Sequence, residues 1–368
     1  MRILQVINVR WFNATAWYAL YQSRLLAEAG HDVLIACLPG SPAAHTAKAW
    51  GLTAYPMDLN ARNPLRILAL ARDIHRLIAA WRPEVVNCHR GESFILWGLA
   101  RRLGGFRLVR TRGDQRPPRN NLPNRWLHRH VADAVVVTNT AMARVFRDAL
   151  GVPHNRLHCI YGGVDTKAFA FDPAGRDRVR AEYGFGPGDV VVGLLGRYDR
   201  VKGQKELIEA VARLRHGRGM RQVKLMLIGH DSAMRTAEME AWITEDNMAD
   251  ATVLTGRRND VAACISALDV GVVASLWSET IARAALEIMA CGRLLLSTSV
   301  GVMPDLLDRA VLVQPGDASA LAGLLERVAT DPKFAASQLR DQQNRITQLT
   351  GNDFLRQCVA LYQGLVDG

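Results

Sequence analysis

Short apolar runs alternate with amphipathic, helix-length segments along the whole chain of 368 residues. This alternation is typical of parallel strands joined by crossover helices. The predicted strands of the first half cover residues 3–9, 33–37, 85–88, 108–111, 134–138 and 157–160. Those of the second half cover residues 190–195, 223–228, 252–254, 270–274 and 294–298. The sequence therefore predicts an α/β protein with two facing, Rossmann-like, doubly wound domains.

Chain length and one irregular segment suggest where these domains meet. At roughly 150 residues per domain, the chain exceeds one ordinary core. Residues 166–187 contain several Pro and Gly turn signals, and we interpret them as an interdomain linker. We expect an N-terminal domain over residues 1–168 and a C-terminal domain over 169–351, with a last helix at about 352–368 that packs back on the N-terminal domain. Ligands are expected beyond the carboxyl ends of the strands, in a cleft between the domains.

Positive charge is concentrated in the first part of the chain. Residues 1–165 contain 22 Lys and Arg against 10 Asp and Glu, whereas residues 166–368 contain 24 against 25. This imbalance favours anionic partners. No recognition helix or basic stripe beside stacking aromatics indicates nucleic acid, and no apolar run approaches the ~20 residues of a membrane-spanning helix. The six cysteines form no CxxC pair or Cys/His cluster, so we expect neither a zinc site nor disulfides, and a cytoplasmic location fits.

A glycine-bounded turn, Gly196 to Gly203, follows one of the predicted strands and precedes a helix. Backbone N–H groups at a helix N-terminus attract anions, and Arg197 and Lys202 in the turn can neutralise a diphosphate. The turn matches neither GxxxxGK[ST] nor GxGxxG. The alternative interpretation is a solvent-exposed basic loop.

A second candidate group starts after the strand at 270–274, with Glu279 and Glu287 eight residues apart. Eight helical residues rise ~12 Å, so the two carboxylates would reach opposite ends of a ligand as long as a nucleotide sugar. Amides at 280–282, at the start of the predicted helix, would meet a phosphate. The alternative is that Glu287 is an exposed helix residue, but its neighbours 286 and 288–290 are apolar.

These two groups belong to a longer series of motifs. In the second half the series reads GRYDRVKG, VLTGRRNDVAACISALDVGVVASLWSE, EIMACGRLLLSTSVG and VLVQPGDASAL, and in the first half AEAGHDV, RPEVVNCH, ADAVVVTNT and GGVDTKAF. In order and spacing the chain resembles the retaining glycosyltransferases of family 4, which have the GT-B fold. The resemblance covers nearly the whole chain and is more specific in the second half.

The resemblance implies roles for several residues on the donor side. Arg197 and Lys202 would hold the donor diphosphate without a metal, Glu279 would contact the donor sugar, and Glu287 would bind the ribose hydroxyls. The remaining donor-side residues would line the sugar, the phosphates or the base: Gly196, Thr280, Ile281, Ala282, Arg257 and Arg258. No cofactor and no metal site are expected, because the nucleoside-diphosphate sugar is a substrate and the Arg/Lys pair stabilises the leaving group.

Departures from the family pattern lie mostly on the acceptor side. Residues 9–16, which include Asn13, replace the usual Gly-rich turn, and Arg112 or Asp114 stands where many members have a histidine. His89 follows a predicted strand and is a further acceptor-side candidate, with a structural histidine as the alternative. Residues 280–282 also lack the usual glycines, which restricts the backbone at the sugar pocket.

An arginine-rich stretch from Arg110 to Arg129 contains Arg116, Arg119 and Trp126. The two prolines at 117–118 predict a loop, and Asn124 is predicted to cap the helix that follows. Arginine pairs with phosphate and tryptophan suits a lipid headgroup boundary. We therefore expect an anionic glycan or lipid-linked acceptor, such as a lipopolysaccharide core or a polyprenyl-phosphate sugar, reached at the inner face of a membrane. The alternative is a salt-bridged solvent loop.

Other activities remain open at this point. An epimerase of the same fold would need acid/base carboxylates near the sugar carbon, and a phosphorylase would need a cofactor lysine. A catalytically weak nucleotide-sugar-binding homologue would lack Arg197, Lys202 or Glu287, all of which are present.

Overall fold

The computed structural model describes residues 1–368 and divides into two compact units. The first unit comprises Met1–Gly162 and Gly351–Gly368, and the second comprises Gly163–Thr350. Each unit is built on one sheet in which all neighbouring strands are parallel. The predicted α/β class with two Rossmann-like, doubly wound domains is confirmed.

The sheet of the first unit has seven strands in the order β3-β2-β1-β4-β5-β6-β7. Its strands are β1 (Arg2–Ile7), β2 (Asp32–Cys37), β3 (Thr53–Pro56), β4 (Val85–Cys88), β5 (Arg107–Arg112), β6 (Ala134–Val137) and β7 (Leu157–Cys159). Its helices in the first part of the chain are α1 (Ala14–Glu28), α2 (Pro42–Ala49), α3 (Pro64–Trp81), α4 (Phe94–Gly104), α5 (Leu122–Trp126) and α6 (Thr140–Arg144). The central strands are buried on both faces, which explains why they are continuous apolar runs in the sequence.

The sheet of the second unit has six strands in the order β10-β9-β8-β11-β12-β13. Its strands are β8 (Val190–Leu195), β9 (Val223–Ile228), β10 (Thr252–Leu254), β11 (Val270–Val273), β12 (Leu294–Thr298) and β13 (Leu312–Val313). Its helices are α7 (Pro173–Glu182), α8 (Gln204–Ala212), α9 (Thr236–Glu245), α10 (Val261–Ala267), α11 (Arg283–Ala290), α12 (Met303–Leu306), α13 (Ala318–Thr330) and α14 (Pro332–Ile346). Every predicted strand is present, while the short edge strands β3 and β13 were not predicted.

The last helix, α15 (Gly351–Asp367), belongs to the first unit and packs against α1. The ring of Phe354 lies 4.7 Å from that of Tyr18, measured between centroids. Tyr362 is buried and its hydroxyl accepts a hydrogen bond of 2.9 Å from Asn87 Nδ2 at the end of β4. The aromatic side chains of α15 thus cover part of one face of the first sheet.

The segment 166–187 is not the linker that its turn signals predicted. Asp172 caps α7 by accepting a hydrogen bond of 2.8 Å from the Gly175 N–H, and Pro173 occupies the first helical turn, where no N–H donor is needed. The helix packs against α10 within the second unit. The Asp-Pro pair therefore marks a helix start and not a flexible connection.

Both sheets have a topological switch point, where neighbouring strands are connected to opposite sides. In the first unit it lies between β1 and β4, and in the second between β8 and β11. Ligands of doubly wound sheets bind beyond the carboxyl ends of the strands at such a point. No helix of the structure is both long enough and apolar enough to cross a lipid bilayer.

Candidate functional site

The turn after β8 is held in place by its backbone. The N–H of Gly196 donates to the Ile228 carbonyl at 2.9 Å, and Asp199 caps the short 3-10 turn that contains Lys202. Gly203 has a φ of 72°, and a Cβ at this position would lie 1.9 Å from the Ala274 carbonyl oxygen. Only glycine fits this approach, and it brings the turn against the end of β11.

Lys202 and Glu279 meet at the switch point of the second sheet. Lys202 Nζ contacts Glu279 Oε1, and Ser275 Oγ donates to the same oxygen at 2.5 Å. Glu279 is 8% exposed, and its carbonyl accepts a hydrogen bond of 2.7 Å from the Val302 N–H. A cation and a carboxylate from the loops after β8 and β11 are thus held together. Ser275 was missed in the sequence, although it is a small polar residue directly after a buried strand.

Arg197, in the same turn, has its side chain half exposed. Its guanidinium pairs with Asp199 at 2.7 Å and lies 3.4 Å from Ser232 Oγ. Exposed ion pairs contribute little stability, so this guanidinium can exchange its partner at low cost. It remains a candidate phosphate ligand beside Lys202.

Glu287 is buried, with 4% of its surface exposed. Burial raises the pKa of this carboxyl group, and the Arg283 guanidinium, whose Nε donates to it at 2.5 Å, opposes that shift. The prediction that one helix carries both Glu279 and Glu287 is wrong, because α11 begins only at Arg283. The alternative of an ordinary exposed Glu287 is excluded by its burial.

Thr280, Ile281 and Ala282 connect the buried Glu279 to α11 and are themselves buried. Ala282 has a φ of 51°, in the left-handed region where a Cβ is disfavoured. The chain lacks the flexible glycines here but still makes the tight turn before α11. Non-glycine residues in this conformation concentrate at ligand sites.

The loop after β10 contains Arg257 and Arg258, which differ in their contacts. Arg257 Nη2 lies 3.1 Å from His230 Nε2 and its guanidinium makes no ion pair. Arg258 donates to Glu182, Tyr183 and Asp260, and its hydrogen bonds to Glu182 and Asp260 raise its pKa. These bonds attach the loop to α7, so Arg258 serves the framework while Arg257 has donors to spare.

The acceptor-side candidates lie at the carboxyl edge of the first sheet, after β1, β4 and β5. Asn13 caps α1 by accepting from the Ala16 N–H at 3.0 Å. Arg112 Nη2 donates to the Arg116 carbonyl at 2.5 Å, and its guanidinium lies 3.9 Å from the Asp114 carboxylate. Arg116 has an exposed side chain.

His89 is fully buried, and its Nε2 lies 2.8 Å from Gln5 Oε1. Burial, together with the charge of Arg110, lowers the pKa of His89 to about 3. The imidazole is therefore neutral at physiological pH. Its position below the surface, within a network that includes Asn87, corresponds to the structural alternative.

The helix that follows the arginine-rich loop starts earlier than predicted. Asn121, and not Asn124, caps α5 by accepting from the Asn124 N–H at 3.0 Å. Asn124 lies inside the helix, and its Nδ2 donates to the Arg119 carbonyl at 2.8 Å. Pro123 in the first turn moves the helix start forward, because its fixed φ suits that position. Trp126 is 49% exposed.

Two family models match most of the chain. A model described as Glycosyltransferase Family 4 matches residues 15–168, and one described as Glycosyl transferases group 1 matches residues 189–331. The sequence is 30% identical over 284 residues to a GDP-mannose-dependent alpha-(1-6)-phosphatidylinositol monomannoside mannosyltransferase of Mycolicibacterium smegmatis, covering 73% of each chain.

Other curated relatives match over a shorter part of their length. A 2-deoxystreptamine glucosyltransferase of Streptomyces kanamyceticus is 29% identical over 59% of this chain and 56% of the relative. A D-inositol 3-phosphate glycosyltransferase of Pseudarthrobacter chlorophenolicus is 29% identical over 60% of this chain and 53% of the relative. The chain thus spans about half the length of these two relatives.

Solved structures resemble the chain over nearly its whole length. A glycosyltransferase from Rickettsia africae has a TM-score of 0.89 at 18% identity and covers 99% of this chain and 98% of its own. Anabaena HepE, solved in complex with UDP and glucose, has a TM-score of 0.83 at 18% identity and covers 99% of this chain and 100% of its own. At this identity the likeness establishes the fold.

Proposed function

The chain belongs to glycosyltransferase family 4 and has the GT-B fold, and from this premise we propose that it transfers a sugar, with retention of configuration, from a nucleoside-diphosphate donor to an anionic, lipid-linked acceptor. The observation that carries the proposal is the contact of Lys202 with Glu279 beside Arg197, at the switch point of the second sheet. The second unit is then the donor-binding domain and the first unit the acceptor-binding domain.

In this proposal Arg197 and Lys202 hold the donor diphosphate. Both cations pair with carboxylates in the structure, Asp199 and Glu279, and a diphosphate offers them a stronger negative partner. Negative charge grows on the diphosphate as the glycosidic bond breaks, so cations fixed beside it stabilise the transition state more than the ground state. This role is the one that a divalent metal would otherwise fill, and we propose that turnover requires none.

Two glutamates serve the two ends of the donor. Glu287 binds the ribose hydroxyls, because a buried carboxylate with one arginine partner retains lone pairs that can accept hydrogen bonds. Glu279, next to Lys202, contacts the sugar. The amides of Thr280 to Ala282 lie against the sugar or phosphates, while Gly196 and Arg257 lie near the phosphates and the base.

We propose a UDP- or GDP-sugar as the donor. Anabaena HepE binds UDP and glucose, whereas the Mycolicibacterium smegmatis relative is named as GDP-mannose-dependent. The relatives also support an anionic acceptor, because their names include D-inositol 3-phosphate and a phosphatidylinositol monomannoside.

A lipid-linked acceptor is supported by the surface of the first unit. Eight of the twelve exposed large apolar side chains lie on α3, α4 and α5: Leu65, Ile67, Leu68, Ile95, Leu99, Leu103, Leu122 and Trp126. On α4 the three exposed apolar residues recur at every fourth position and form one stripe. Exposed arginines, among them Arg102, Arg116, Arg119 and Arg125, flank these side chains. An apolar surface bordered by cations suits the inner face of an anionic membrane.

A donor assay tests the proposal directly. UDP and GDP are titrated into the protein by calorimetry, and the preferred nucleotide is followed by UDP- or GDP-sugars in a hydrolysis assay. The anomeric configuration of the released sugar, read by proton NMR at early times, is expected to be that of the donor. Absence of binding by both nucleotides, or an inverted product, would contradict the proposal.

A further inference from the structure

A cavity of about 430 Å³, lined by both polar and apolar side chains, the latter from Trp11 and Ala61, opens at the switch point of the first sheet. Its lining comes from the segments that follow three strands: Asn8 and Arg10 after β1, Asn60 and Arg62 after β3, and Arg90 and Glu92 after β4. The volume lies in the range of small-molecule sites. Its position corresponds to where doubly wound sheets bind ligands.

The amide of Asn8 ties two of these segments to the end of β1. Asn8 Nδ2 donates to Glu92 Oε2 at 2.9 Å and to Asn60 Oδ1 at 3.2 Å, while Asn60 Nδ2 donates to the Asn8 carbonyl at 3.2 Å. Asn8 is only 2% exposed, and its Oδ1 is buried without a hydrogen-bond partner. Buried polar atoms are nearly always paired, so an unpaired acceptor at a cavity marks a place for a donor from a ligand, such as a hydroxyl.

The charges of the cavity do not cancel. Glu92 pairs with Arg90 at 2.8 Å. Partial burial raises the pKa of Glu92, but the Arg90 charge and the hydrogen bond from Asn8 outweigh this and hold it below its ordinary value, so the carboxylate is ionised. Arg10 and Arg62 are exposed and make no ion pair with a carboxylate. Two guanidinium groups at the cavity therefore lack a counterion.

A further cation lies beneath the cavity. Arg110 on β5 is 1% exposed and donates to the carbonyls of Cys88 and Thr111, with no carboxylate in salt-bridge contact. Its Nη2 would lie 3.7 Å from a Cβ on Gly91, between Arg90 and Glu92. A buried charge without a counterion is costly, and an anion bound nearby would offset that cost.

We propose that this cavity binds the acceptor through a polyol phosphate group, with the phosphate on Arg10 and Arg62 and the hydroxyls on Asn8, Asn60 and Glu92. The inference rests on the proposed transferase function and names the acceptor class. Guanidinium groups bind phosphate oxygens in pairs of parallel hydrogen bonds. The amide and carboxylate oxygens accept hydrogen bonds from the hydroxyls of the ligand. The cavity therefore binds both the phosphate and the hydroxyls of a polyol phosphate. The polyol phosphate is either free or the headgroup of a lipid.

Calorimetric titration of the full chain tests this assignment, with myo-inositol 1-phosphate, myo-inositol and inorganic phosphate as probes, each with and without saturating nucleotide. We expect the polyol phosphate to bind at least about 10-fold more tightly than either of the other probes. Arg10→Ala combined with Arg62→Ala is expected to weaken its binding by about 10- to 100-fold. The matched control is Arg144→Ala, which removes an exposed arginine of α6 that is outside the cavity.

Vesicles that contain phosphatidylinositol distinguish a lipid headgroup from a free ligand. Binding only to these vesicles, lost in the Arg10/Arg62 variant but retained in Arg144→Ala, assigns the site to a headgroup. The proposal is overturned if myo-inositol or inorganic phosphate binds as well as the polyol phosphate, if the Arg10/Arg62 variant behaves like Arg144→Ala, or if neither free probe nor vesicle binds. UDP and GDP titrated into the same variants separate this result from the donor site, since nucleotide affinity is expected to stay at the parental value.

Discussion

The two switch points are built on sheets of nearly the same strand order, yet their charges are balanced differently. In the second unit the two cations of the turn after β8 have carboxylate partners, Lys202 with Glu279 and Arg197 with Asp199. In the first unit Arg10 and Arg62 have no such partner, and Arg110 is buried without one. We call the carboxyl edge of the second sheet the balanced edge, because Lys202 and Arg197 are paired there, and that of the first sheet the positive edge, because Arg10 and Arg62 are not.

From this difference we infer that two sheets of the same topology are suited to different ligands. Paired cations can be preorganised, since the carboxylates hold them in place until a diphosphate replaces part of the pairing. Unpaired cations raise the local potential and favour an anion that stays bound as such. We therefore associate the balanced edge with the reacting donor and the positive edge with recognition of the acceptor.

The largest effect is expected from the loss of Lys202, the cation that contacts Glu279 at the balanced edge. Lys202→Ala is expected to lower kcat by roughly 100- to 1000-fold, the usual effect of losing one charge-stabilising donor, and to raise KM much less. The measurement is steady-state donor turnover. Lys205→Ala is the control, because Lys205 is a more exposed lysine of α8 whose Nζ lies 3.8 Å from Glu245. Equal effects of the two substitutions on kcat would mean that Lys202 has no special role.

A chelator tests whether Arg197 and Lys202 act without a metal ion. If Arg197 and Lys202 replace a metal, EDTA leaves the rate of donor turnover unchanged. Loss of turnover in EDTA that magnesium or manganese restores would show that Arg197 and Lys202 are not sufficient. The balanced edge would then need a bound metal ion in addition to these two side chains.

The next effect concerns Glu287. Glu287→Ala is expected to weaken nucleotide binding by about 1–3 kcal/mol, since a hydrogen bond to a charged group is lost. Glu240→Ala, on the exposed face of α9, is the control. Calorimetry with UDP or GDP measures both, and parental affinity in the Glu287 variant would remove this residue from the donor site.

The raised pKa of Glu287 adds a pH dependence to this prediction. In the proposed site the ribose hydroxyls donate to the ionised carboxylate, so we expect nucleotide affinity to be retained above the raised pKa and lost as pH falls through it. The loss begins at a higher pH than the ordinary glutamate value of about 4.3 would allow. Glu287→Gln removes this dependence, and an unchanged pH profile in that variant would assign the titration to another group.

The sequence predicted the strands well and the site only in part. Buried parallel strands are continuous apolar runs, so β4, β8, β9, β10 and β12 were predicted with their observed bounds. Arg197, Lys202 and Glu279 lie in segments that follow such strands, which is why they were predicted as site residues, and the structure places Lys202 against Glu279. The hydrogen bond between Asn8 and Glu92 joins residues 84 positions apart, and no local pattern signals it.

Local ambiguity explains the other errors. Asp172-Pro173 fits both a turn and a helix start, and only the packing of α7 on α10 decides between them. The helical rise assumed between Glu279 and Glu287 was wrong because Ala282 takes a left-handed conformation that alanine rarely adopts, so that α11 begins only at Arg283. Tertiary contacts outweighed the local preference in both places.

The arginine-rich loop of the first unit, which contains Arg116 and Arg119, is the part of the surface that we expect to contact a membrane. Arg116→Ala combined with Arg119→Ala is expected to lower the partition constant onto anionic liposomes, measured by sedimentation at low salt, by up to about 30-fold, since each basic residue near the surface contributes ~1 kcal/mol. The loss shrinks at high salt as the Debye length falls below ~10 Å. Arg218→Ala, in the second unit, is the control. Equal sedimentation of the double variant and the parent would assign the arginine-rich loop to solvent.

The smallest expected effect is on the free energy of unfolding and concerns the backbone strain at Ala282, in the turn before α11. Its left-handed conformation costs an alanine ~1–2 kcal/mol in the folded state, which glycine avoids, whereas glycine adds about 0.4–1 kcal/mol of chain entropy to the unfolded state. Ala282→Gly should therefore raise the free energy of unfolding by roughly 0.5–1 kcal/mol. Ala284→Gly, in the first turn of α11, should lower it by up to about 1 kcal/mol, because helical glycine is unfavourable. Urea denaturation of both variants measures the opposite signs. If both substitutions destabilise equally, the turn before α11 holds no strain, and the balanced edge is preorganised by its ion pairs alone.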